Sequence, residues 1–74
     1  MKDLKGWNLL VYDVIVKNFG YRVFSLNDIY QFEDYFKLYY PNNHFIQDKI
    51  RQILQVLRDK GMLEFVNEGH YKLI

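Results

Sequence analysis

One stretch decides most of what this chain can become. Between His44 and Lys60 the apolar residues Ile46, Ile50, Ile53, Leu54 and Leu57 recur at spacings of three and four. On a helix turning about 100° per residue they fall in one sector. Gly61 then stops the pattern and Met-Leu-Glu-Phe-Val follows at once. A helix with one apolar stripe has to bury it. The remaining segments are what it can be buried against. Roughly opposite the stripe lie Asp48, Gln52, Gln55 and Asp59, with His44 and Phe45 at the N-terminal end. Arg51 and Arg58 share one flank, and Lys49, Val56 and Lys60 the other.

Seventy-four residues make a single domain, here taken as 1–74. A chain this short buries only about 60% of the surface its unfolded form exposes. Seven Tyr, six Phe and one Trp compensate with large buried areas per side chain. The absence of cysteine excludes a disulfide staple and any thiolate zinc site, and permits a reducing compartment. His44 and His70 are too few for a histidine metal cage, and no cofactor is expected. The longest apolar run, Leu9 to Val16, is short and broken by Asp13, so no membrane span or signal peptide is read. The net charge of +1 argues against strong non-specific nucleic-acid binding but leaves room for a small patch.

The spacing of Trp7, Leu10, Val11, Val14, Ile15 and Phe19 predicts a first helix stopped by Gly20. Tyr21 to Phe24 reads as a short extended piece. Ser25 and Asp28 resemble a capping box opening a second helix, which runs to Tyr39 or Tyr40 before Pro41. Asn42 or Asn43 is expected to cap the third helix, over 44–60. Met62 to Val66 and His70 to Ile74 read as two strands about a tight turn at Asn67 to Gly69. The order predicts a mainly α fold with a small β-hairpin: a winged helix-turn-helix of three helices and a C-terminal two-stranded wing.

In that topology the third helix enters the DNA major groove with its N-terminal residues nearest the bases. An ordinary solvated face is the competing reading. Against it, the outward residues are poor in Glu and Lys and include Arg and Gln, whose forked groups match guanine and adenine edges. Phe45 points away from the stripe; packing against helix two or the turn and an apolar contact to a base are its two readings. Tyr39 and Tyr40 read as core. Lys72, beside the wing turn, can reach a phosphate. Glu33 and Asp34 are neighbours pointing about 100° apart, a surface pair rather than a catalytic dyad. No nucleophile triad, phosphate loop or metal-ligand spacing is present, so the chain reads as non-catalytic.

Gly6-Trp7, Phe24 to Asp34, the run from Asn42 to Phe65 and Gly69 to Leu73 resemble the C-terminal winged-helix domain of DpnI-type methyl-directed restriction endonucleases, the Dam-replacing protein family. Members cut GATC when its adenine carries an N6-methyl group. They join a PD-(D/E)xK nuclease domain with a zinc site to a winged helix that binds methylated DNA. Only the winged helix is matched here, which implies an excised domain or a stand-alone relative, and a cytoplasmic, bacterial setting. The implied partner is adenine-methylated double-stranded DNA, with a nuclease domain possible in the parent chain. A protein-interaction or dimerisation domain and a small transcriptional regulator are the alternatives.

The methyl occupies the edge that Asn or Gln would otherwise bind, so a methyl reader needs an apolar surface there. The expected roles follow. Arg51 or Gln52 reads a base edge. His44, Gln47 and Gln55 contact bases or phosphates. Asn43 and Lys49 hold the backbone, and Phe45 touches the methyl. Arg51→Ala is expected to cost about 1–3 kcal/mol of binding and relax base preference. Unchanged affinity and preference in a titration would remove Arg51 from that role.

Overall fold

The computed structural model describes residues 4–74. Its elements are α1 (Gly6–Asn18), β1 (Phe24–Ser25), α2 (Leu26–Tyr30), α3 (Glu33–Tyr39), α4 (Ile46–Asp59), β2 (Leu63–Asn67) and β3 (His70–Leu73). The core is apolar throughout. Val11, Val14 and Ile15 of α1 meet Ile29, Phe36, the whole α4 stripe, Phe24, Leu63 and Leu73. Among the described residues no polar or charged side chain is buried. Trp7 closes one end, stacked on Tyr40 at 4.2 Å and tilted against Phe36 at 5.9 Å.

The capping box at Ser25 forms in both directions. Asp28 N–H donates to Ser25 Oγ and Ser25 N–H donates to Asp28 Oδ2, each at 3.0 Å. The helix it opens is shorter than the sequence predicts. The segment from Ser25 to Tyr40 breaks after Tyr30, and Phe32 N–H turns back to Ile29 O at 3.0 Å, a tighter span than the α ladder. The apolar face here is too wide for one helix. Split in two, it serves several neighbours: α2 packs on β1 and α4, and α3 on α4. Phe32, at the break, meets Phe19 edge-on at 6.0 Å.

The wing also differs from expectation, with three antiparallel strands in the order β1-β3-β2 rather than two. The short extended piece is not a free connector. Phe24 pairs with Tyr71 and Ser25 with His70, which covers the second edge of β3 and satisfies backbone groups a lone hairpin would leave open. Phe24 is buried there, stacked on Phe19 at 4.8 Å and on Tyr71 at 6.0 Å. The hairpin turn needs Gly69, at φ +73°.

Helix α4 begins at Ile46, two residues later than predicted, and Phe45 is its N-cap. The expected asparagine cap is displaced. Asn43 Oδ1 accepts from Phe45 N–H at 2.7 Å, so it shapes the approach turn and not the helix end. Gly61 ends the helix as expected. Its φ of +76° lets Met62 N–H reach Leu57 O at 3.0 Å and turns the chain into β2. Tyr39 is 58% exposed, not core, because the break reorients α3.

Leu54 is fully buried in the middle of the stripe. Leu54→Ala is expected to destabilise the fold by about 2–5 kcal/mol in chemical denaturation. A loss under about 1 kcal/mol would show that the stripe is not the packing centre.

Candidate nucleic-acid interface

With its stripe buried, α4 presents the opposite side to solvent. Asp48, Arg51, Gln52, Gln55, Arg58 and Asp59 are all exposed. Arg58 and Asp59 approach at 3.6 Å, an exposed pair of small energetic weight. Arg51, Gln52 and Gln55 line an open groove of about 530 Å³ together with Asp48, Leu26 and Tyr71. The groove is bounded by the outward side of α4, the start of α2 and the middle strand of the sheet.

Tyr30 stands behind Arg51. Burial pushes its hydroxyl above the ordinary tyrosine value, and the Arg51 guanidinium beside it works the other way. The Arg51 side chain on α4 and the Tyr30 hydroxyl on α2 therefore stand close enough to feel each other's charge. Neither Tyr30 nor Tyr71 stands out in the sequence. Each reads as one more apolar residue of its element, and only the tertiary fold sets Tyr71 in the groove and Tyr30 beside Arg51.

A second group gathers at the N-terminal end of α4. His44, Phe45 and Gln47 line a shallow hollow of about 210 Å³ with Glu33, Ile46 and Asp48. Phe45 is 72% exposed, so it does not pack against α2, α3 or the turn. Its backbone N–H is held by Asn43, which fixes the base of the ring while the ring stays in solvent. Phe45 has no side-chain acceptor for the first-turn N–H groups of α4. An uncapped helix start of this kind favours an anion. Gln47 is tied to α3, donating from Nε2 to Glu33 Oε1 at 3.0 Å.

Two expected residues stand apart from both groups. Lys49 is half-buried on the flank of α4. Lys72 is half-buried on β3, opposite Glu64 of β2. His70 Nδ1 lies 2.9 Å from Glu68 O at the wing turn. Among the described residues no group of three His, Cys, Asp or Glu side chains is placed to hold a metal, and no helix is long and apolar enough to cross a membrane.

A family model described as the Dam-replacing HTH domain matches residues 3–73, nearly the whole chain. The chain belongs to that family. A Dam-replacing HTH domain is a DNA-binding domain, and in this one the helix-turn-helix pair is α3 and α4, with α2 continuing α3 across the break. The β2–β3 hairpin is the wing, joined by β1.

Phe45 carries no part of the Dam-replacing HTH core. Phe45→Ala is therefore expected to change stability by no more than about 0.5 kcal/mol in thermal unfolding. A larger loss would mean that the ring packs in solution.

Proposed function

We propose that the chain recognises N6-methyladenine in double-stranded DNA, in the GATC context. In this reading it is the target-recognition module of a methyl-directed type II restriction endonuclease of the bacterial cytoplasm. The observation that carries the reading is Phe45: a large apolar ring in solvent at the leading end of the recognition helix, where base edges lie nearest. A methylated adenine offers no free N6 donor in the major groove and adds a methyl group there. An exposed apolar ring suits that edge, and an amide does not.

The other roles fall around it. Arg51, beside Tyr30, and Gln52 read base edges from the groove, and Gln55 adds a contact one turn on. The uncapped start of α4, with His44 and the Asn43 amide nitrogen, takes a backbone phosphate. Lys49 and Lys72 add phosphate contacts from the flank and the wing. The domain itself is non-catalytic, and cleavage belongs to a nuclease domain of the parent protein.

A protein-interaction reading has its own observation. Leu9, Val16, Leu38 and Tyr39 are exposed on α1 and α3, with Leu38 at 78%, and none of them lies on α4. The two surfaces do not compete, so a partner domain docked there would leave the reading helix open.

The test is a titration at fixed salt with fully methylated, hemimethylated and unmethylated GATC duplexes. Affinity is expected to fall about fourfold per methyl removed, the worth of one buried methyl at about 0.8 kcal/mol. Phe45→Ala should bring the three duplexes close together without weakening binding to the unmethylated one. Equal binding to all three by the unaltered chain would sink methyl reading and keep DNA binding. No binding at low salt would favour the protein-interaction reading.

A further inference from the structure

The contact between Gln47 and Glu33 decides more than where α3 sits. Glu33 is the first residue of α3 and half-buried, and Gln47 lies in the first turn of α4, exposed. The two are fourteen positions apart in sequence and 3.0 Å apart in space, amide nitrogen to carboxylate oxygen. An amide has two ends of opposite character, and its orientation is set by whatever it meets. A carboxylate oxygen only accepts. Against it the amide nitrogen fits and the amide oxygen is repelled. The pairing therefore fixes Gln47 with nitrogen towards α3 and Oε1 turned away from it. Nothing in the sequence of α4 alone would choose between the two orientations.

We infer that Glu33 is a positioning residue which makes Gln47 present its carbonyl oxygen to the major groove, where it selects a base with an exocyclic amine free to donate, cytosine or unmethylated adenine, over guanine and thymine. This rests on the DNA-binding reading above. Cytosine N4 is a donor on the major-groove edge. Guanine O6 and N7 and thymine O4 are acceptors and would meet Oε1 oxygen to lone pair. An adenine methylated at N6 spends its remaining N6 hydrogen on thymine and offers no donor either, whereas an unmethylated adenine placed at the same pair keeps an N6 hydrogen that Oε1 can accept. Gln47 thus reads a base other than the methylated one, and Phe45, two residues before it in the same hollow, is left to the methyl.

The experiment is fluorescence anisotropy on methylated duplexes in which each base pair is replaced in turn. It compares the unaltered chain, Glu33→Gln, Gln47→Ala, and the exchange of Glu33→Gln with Gln47→Glu. The unaltered chain is expected to prefer cytosine or unmethylated adenine over guanine or thymine at one pair by about fivefold, the worth of one net hydrogen bond. Glu33→Gln and Gln47→Ala should bring that pair to near parity and leave preferences elsewhere intact. The exchange variant should restore that preference, because an amide on α3 now donates to a carboxylate on α4 whose second oxygen still faces the amine. A uniform loss across all duplexes for Glu33→Gln, with a lowered melting temperature, would make the contact a structural tether only and overturn the inference. So would an unchanged preference at that pair. Absence of binding by the unaltered chain would remove the DNA-binding reading and this one with it.

Discussion

The structure depends on the burial of one stripe. Ile50, Leu54 and Leu57 are fully buried, and Ile46 and Ile53 nearly so. Their helix touches α1, α2, α3 and β2. With no buried polar side chain among the described residues, this stripe supplies the driving force, and the turns supply the uniqueness. Burying the stripe also fixes the opposite side in solvent. The groove residues Arg51, Gln52 and Gln55 are displayed because their neighbours are packed away.

Periodicity made this much of the fold readable beforehand. The stripe of α4, the stop at Gly61, the capping box at Ser25 and the hairpin all rest on local chemistry, which a sequence carries openly. The failures have a common cause. The break at Phe32, the third strand and the position of Tyr39 are set by partners far along the chain. Phe24 reads as part of a short extended piece, and only Tyr71 beside it makes that piece a strand of the wing. Asn43 reads as a cap because its residue type suits one, yet it bonds Phe45 N–H, which stands before the first turn of a helix that begins only at Ile46.

The candidate site divides in the same way. Its first line, Phe45, Gln47, Arg51, Gln52 and Gln55, follows from the helical wheel. The residues behind that line do not. Tyr30 beside Arg51 and Glu33 against Gln47 come from α2 and α3, and the hydrogen bond from Gln47 to Glu33 makes a flexible side chain into a directed one. A long side chain that is already oriented loses less entropy on binding, so this support contributes without touching a ligand.

Ser25 belongs to two elements at once. It is a strand residue paired with His70 near the wing turn, and its side chain caps α2, with Leu26 N–H bonded to Gly69 O at 2.9 Å. The wing tip and the start of the helix-turn-helix are therefore one rigid joint. The same few atoms hold the hairpin turn and open the helix, so loosening either one withdraws hydrogen bonds from the other.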